Sequence, residues 1–166
     1  MTQVDLADWR AGRRRRFAPD KWGVLICRAL WDETADMRSF LLTPQDGSRI
    51  EHDPGQFMTF RIDTSEGLIE RCYTIASSAA RDGGIEISVK RQDGLGSACL
   101  HDVVKVGDVL AISAPLNNFP LRRDALHTLF IAGGIGLTPL LAMAQRLMRE
   151  RSPFTFHSFA RSAEAL

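Results

Sequence analysis

Residues 71–78, reading Arg71, Cys72, Tyr73, Thr74, Ile75, Ala76, Ser77, Ser78, place a cation, an aromatic ring and a hydroxyl on a short period-2 segment near the middle of the chain. A strand sends alternate side chains to opposite faces, so Arg71, Tyr73 and Ile75 share one wall and Thr74 points to the other, before the two serines open a turn. A guanidinium beside a phenol ring suits a ligand with a phosphate at one end and a flat heterocycle at the other. At the bend of the strand, the Thr74 hydroxyl is a candidate donor to a ring nitrogen. The same residues also suit an ordinary strand whose Arg and Tyr cover a sheet edge, so the stretches that follow decide between the two.

Around it the pattern is that of short strands. Residues 24–30 run apolar into a polar link at 32–36 and then into 37–42, which predicts a hairpin. Pro44 to Gly47 is a turn signal. Asp53, Pro54 and Gly55 predict a second turn, leading into a strand over 57–62. Ile85, Ile87 and Val89 alternate with Glu86, Ser88 and Lys90, which predicts a strand with one buried face. Gly94, Leu95, Gly96 and Ser97 then precede a segment that reads as a short helix over 97–104 with Ser97 as its cap. Its glycines allow close backbone approach, and its first amides and dipole offer an anion site. His101 on that helix reads as a structural surface histidine. Val106 to Pro115 reads as a turn and a last strand.

From His127 the pattern changes. A short apolar run over 127–132 is followed by Gly133, Gly134, Ile135 and Gly136, then by Pro139 and a helical stretch through Met148, and then by a second strand over 154–159. Strand, glycine turn and helix match the start of a dinucleotide-binding unit, in which the turn brings a pyrophosphate against the helix N-terminus, although glycine clusters between strand and helix also occur without ligands.

The three stretches, in this order and at these separations, resemble the ferredoxin-NADP reductase superfamily, in which a flavin-binding barrel precedes a nicotinamide-dinucleotide domain. The form of residues 71–78, with Asn117, Asn118, Phe119, Pro120 and Leu121 as an exit loop, is most similar to reductase components of Rieske-type oxygenase systems. The resemblance implies an all-β antiparallel flavin-binding barrel with a short capping helix, followed by the partial βαβ start of an α/β nicotinamide-binding domain. The expected organisation is a leader over 1–20, the barrel over 21–121 and an incomplete NAD(P)-binding domain over 126–166.

Residue by residue, the resemblance implies that Arg71, Gly94, Leu95, Gly96 and Ser97 hold the flavin phosphate, that Tyr73 lines the ring or ribityl chain, and that Thr74 meets flavin N5. It further implies flavin contacts at Val89 and Lys90, dinucleotide contacts at Gly133, Gly134 and Gly136, a contact near the nicotinamide at Thr138, and one near the adenosine ribose at Arg161. The implied flavin is FAD, with FMN as the alternative that the phthalate-type subgroup uses, and the implied donor is NADH or NADPH. The expected activity is electron transfer through the flavin to an iron-sulfur acceptor or oxygenase component. Catalysis then needs no side-chain acid or base, because the cofactor carries the chemistry.

A full nicotinamide domain of this kind has about five parallel strands and a later Cys-Gly motif. This chain carries the first two strands, so a further expectation is a partner chain that completes the domain, or a flavin-binding module or remnant without turnover of its own. Residues from about Ala125 onward are expected to be less stable than the barrel.

Composition sets the remaining bounds. With 45% hydrophobic and 25% charged residues in 166, one sizeable core is affordable, and a net charge of +1 gives no support for a nucleic-acid partner. No apolar run reaches the roughly 18 residues of a membrane span, and the N-terminus lacks a secretory signal's apolar core, so the expected location is cytoplasmic. Cys27, Cys72 and Cys99 are odd in number and widely spaced, which predicts no disulfide framework and no metal site, and they cannot supply a four-cysteine iron-sulfur cluster in this chain. The run Arg13 to Arg16 reads as part of a solvated leader.

Overall fold

The computed structural model describes residues 14–15, 22–77 and 83–160. Most of the leader, together with Ser78 and Arg161, lies outside them. Of the arginine run, Arg14–Arg15 forms strand β1, paired in parallel with β4 (Arg49–Ile50).

Strands β2 (Gly23–Thr34), β3 (Met37–Pro44), β5 (Gln56–Thr64), β6 (Gly67–Thr74), β7 (Ile85–Lys90), β8 (Val109–Ile112) and β9 (Leu116–Asn117) form one antiparallel sheet. Its order is β6-β5-β8-β2-β3-β7, with β9 added on β5. The sheet curls until its ends meet: the Ala76 amide donates to the Glu86 carbonyl at 2.8 Å, and the Glu86 amide donates to Ser77 Oγ at 3.0 Å. Inside the curl, alternate residues of each strand pack into one core that includes Leu25, Phe40, Phe60, Ile87 and Ile112. The expected alternation in β7 holds, with Ile85, Ile87 and Val89 buried and Glu86, Ser88 and Lys90 partly exposed. Helix α1 (Leu95–Asp102) closes one end of this core with Leu100, which is fully buried.

The expected link at 32–36 is corrected by the structure. β2 continues through Asp32, Glu33 and Thr34, leaving only Ala35 and Asp36 as the turn. Cross-strand pairing overrides the polar composition: Asp32 sits opposite Arg38, and the two side chains form a two-pronged ion pair at 2.6 and 3.1 Å.

Beyond the sheet, β10 (Thr128–Gly133) leads through a 3-10 turn (Gly134–Gly136) into α2 (Leu137–Glu150) and β11 (Phe154–Phe159), which pairs in parallel with β10. Pro139 lies in the first turn of α2, where a missing amide hydrogen is tolerated. Leu140, Met143, Ala144 and Leu147, spaced i, i+3, i+4 and i+7, turn one face of α2 onto Phe130 and Ala132, forming a second, smaller core. The other face of β10 is bare, with Leu129 56% and Ile131 65% exposed, so the strand expected to be buried is covered on one side only. No helix among the described residues is long and apolar enough to cross a membrane.

Candidate functional site

Arg71 and the first turn of α1 come together. Ala98 is the first residue of the helix to donate back, to the Gly94 carbonyl at 3.0 Å, so the amides of Leu95, Gly96 and Ser97 precede the intrahelical ladder. No acidic residue lies in this first turn. The Arg71 side chain runs directly over it: a Cβ built on Gly96 would stand 2.8 Å from Arg71 Cγ and 3.5 Å from Nε. Arg71 is exposed, and its Nη1 donates to the Glu70 carbonyl at 2.8 Å. A guanidinium beside helix amides that precede the intrahelical ladder, at the positive end of the helix dipole, is an arrangement for a phosphate-bearing ligand. A flavin diphosphate therefore fits the residues present, in a cradle that any larger residue at position 96 would narrow.

Ser97 has a different role from the expected cap. The helix starts two residues earlier, with Gly94 in extended conformation at the N-cap position and no side-chain cap. Ser97 Oγ instead accepts from the Gln92 amide at 3.1 Å and lies 3.0 Å from the Gln92 carbonyl and 3.1 Å from that of Gly94. It fixes the loop that presents the amides.

Tyr73 lies on the same face as Arg71, half-buried, with its ring edge-on to Phe60 at a centroid separation of 5.5 Å. Burial pushes its phenol pKa up to about 12, against a lowering contribution from the Arg71 charge. Thr74 ends β6 opposite Phe57 and faces the other way, with Cys72. The two faces of residues 71–74 thus divide as their alternation predicts.

Val89 and Lys90 are less available. The Val89 side chain is buried in the core, and its carbonyl accepts from His101 Nε2–H at 2.9 Å. Lys90 Nζ pairs with Asp36 at 3.1 Å. His101, expected at the surface, is 8% exposed, because its ring ties α1 to β7.

At the second unit, Gly133, Gly134 and Gly136 face open space, and Gly134 adopts φ +59°, a left-handed conformation that favours glycine. Thr138 is buried, and its hydroxyl donates to the Ile135 carbonyl at 3.1 Å, bracing the turn from below.

The sequence did not announce the residues that hold the segment following β6. His52 is buried, with Nε2–H donating to the Ser77 carbonyl at 3.0 Å, and Ser77 is fully buried. The only available signal was a histidine directly before a Pro-Gly turn, too weak to read alone.

Residues 31–120 match the sequence model of the oxidoreductase FAD-binding domain. The oxidoreductase NdmD of Pseudomonas putida is 39% identical over 134 residues, covering 80% of this chain and 22% of NdmD. The ferredoxin reductase component of a 3-ketosteroid-9-alpha-monooxygenase from Mycobacterium tuberculosis is 35% identical over 130 residues, covering 72% of this chain and 36% of that protein. The solved structure of phthalate dioxygenase reductase superposes with a TM-score of 0.81 at 30% identity, over 88% of this chain and 46% of that one. The chain thus spans well under two thirds of each of these relatives. With residues 31–120 matched and the antiparallel curled sheet, α1 and parallel β10–β11 pair in place, the chain belongs to the oxidoreductase FAD-binding domain family, within the ferredoxin-NADP reductase superfamily.

Proposed function

We propose that this chain is the flavin-holding part of an NAD(P)H-dependent reductase that passes electrons to an iron-sulfur protein or oxygenase component. The observation that carries this reading is Arg71 lying across Gly96 at the first turn of α1. Arg71 and the amides of Leu95 to Ser97 would hold the FAD diphosphate by charge-assisted hydrogen bonds, each contributing roughly 1.5–3 kcal/mol. Tyr73 would line the ring system or the ribityl chain with its apolar ring, and the Thr74 hydroxyl would donate near N5. The Gly133 to Gly136 turn and the start of α2 would receive the donor's pyrophosphate, and Arg161 its adenosine ribose. Bound flavin supplies the redox chemistry, accepting hydride and releasing electrons, while the protein supplies position and polarity. Phthalate dioxygenase reductase, described as moving electrons from pyridine nucleotides to [2Fe-2S], supports the direction of transfer by analogy.

A second reading is a flavin module whose dinucleotide unit is completed by further polypeptide, and the bare Leu129 and Ile131 face favours it. One experiment separates the two. The purified chain, loaded with FAD, is mixed with NADH or NADPH without oxygen. Bleaching of the visible band supports a chain that delivers hydride itself, whereas bleaching by dithionite alone supports the module. Failure to take up either FAD or FMN overturns both.

A further inference from the structure

The turn formed by residues 52–56 touches both halves of the molecule and takes no part in the ligand contacts described above. On the sheet side, His52 is 7% exposed and clasps the segment that follows Thr74: Nε2–H donates to the Ser77 carbonyl at 3.0 Å, while Nδ1 lies 3.3 Å from the Ile50 carbonyl oxygen. The Ile75 amide donates to the Gln56 carbonyl at 2.9 Å, so the segment is held at two points by one turn.

Toward the second core, the same turn is in tight contact. A Cβ on Gly55 would stand 2.1 Å from the Phe119 carbonyl oxygen and 2.6 Å from Met143 Cε, and Met143 is a buried member of the α2 core. The Asp53 carboxylate pairs with Arg123 Nη2, in the connection to β10, at 3.1 Å. Five consecutive residues therefore join the end of the flavin-type strand to the unit built on α2.

We propose that His52 is a positioning residue that couples the strand bearing Arg71 and Tyr73 to α2, so that flavin bound at Arg71 and α1 suppresses local opening of α2. This rests on the flavin-holding role proposed above. Small cores open by local unfolding, and a ligand that orders one side of a packed contact stabilises the other by the same coupling free energy. The His52 to Ser77 hydrogen bond is the sheet-side joint of that contact, and Gly55 against Met143 is the helix-side joint.

The test is amide hydrogen exchange on the full 166-residue chain with and without saturating FAD, with uptake followed by the visible band. Exchange across 140–147 is expected to slow by about fivefold or more on FAD binding. His52→Gln, whose side-chain amide can still donate to the Ser77 carbonyl, is expected to keep that protection, and His52→Ala to lose part of it, since the Ile75 to Gln56 hydrogen bond remains, while still taking up FAD. FAD uptake with no change in α2 exchange in the unaltered chain overturns the inference, as does full protection in His52→Ala. Unchanged α2 exchange in the unaltered chain overturns the inference even if His52→Ala fails to fold. Absence of FAD uptake instead overturns the flavin-holding role, and this inference with it.

Discussion

Gly96 and Arg71 are in contact only because residue 96 has no side chain: a Cβ there would stand 2.8 Å from Arg71 Cγ. The arginine can therefore lie along the helix start with its charge near the first-turn amides, and any branched residue at 96 would push it off. Gly96→Val is expected to weaken FAD binding by about 1.5–3 kcal/mol, roughly ten- to a hundredfold, in a fluorescence titration. Unchanged affinity would mean that the phosphate lies elsewhere.

Gly55 and Gly107 form a matched pair. Both have positive φ, +90° and +99°, but a Cβ on Gly55 meets the Phe119 carbonyl at 2.1 Å whereas one on Gly107 meets nothing within 4 Å. Gly107→Ala is expected to cost about 1–2 kcal/mol from the left-handed backbone alone. Gly55→Ala adds a collision with rigid backbone and is expected to cost at least about 1 kcal/mol more. Urea denaturation of the two variants, compared with the unaltered chain, measures the difference.

Tyr73 is the chain's one tyrosine, so its titration can be followed without overlap. Burial favours the neutral phenol and raises its pKa from 10.0 to about 12. Between those values the unfolded chain loses the proton while the folded chain keeps it, so this contribution to stability is complete below pH 10 and is lost as pH rises toward 12. In flavin-free protein, Tyr73→Phe is expected to flatten the fall in stability over that range. A tyrosinate absorbance change centred near the ordinary phenol value would contradict the burial seen here.

The three cysteines differ in reach. Cys72 is exposed and Cys27 buried, and burial raises the pKa of both Cys27 and Cys99. A thiol reagent at neutral pH is expected to modify Cys72 first and Cys27 only on unfolding. Early modification of Cys27 would show that the sheet opens locally near β8.

The β10–β11 pair is expected to exchange its amides faster than the curled sheet in the flavin-free chain, because its core is small and Leu129 and Ile131 are bare. Slow exchange here together with rapid exchange in the curled sheet would contradict that.

Much of this was legible in the residues themselves. The alternation of Ile85, Ile87 and Val89 marks a half-buried strand, and the apolar run before Gly133 followed by a 3.6-period stretch marks strand, turn and helix, because both signals are local and periodic. What the sequence concealed depends on distant partners. Asp32 to Thr34 looks like a loop until Arg38 is placed opposite Asp32. Ser97 looks like a helix cap until its hydroxyl is found bonded to the 92–94 loop, and His101 looks like a surface residue until the Val89 carbonyl is found beneath it. The meeting of Arg71 with Gly96, 25 positions apart, is likewise a product of the sheet's curl, although the residue types on each side separately suit a phosphate.

The central claim is that Arg71 and the start of α1 hold a flavin through its phosphate. The most direct test is to titrate the unaltered chain and Arg71→Ala with FAD and with riboflavin, which has the ring and ribityl chain but no phosphate. The expected result is FAD binding at least about tenfold weaker in Arg71→Ala, with riboflavin weak and equal in both proteins. Equal FAD affinity in the two proteins would contradict the claim.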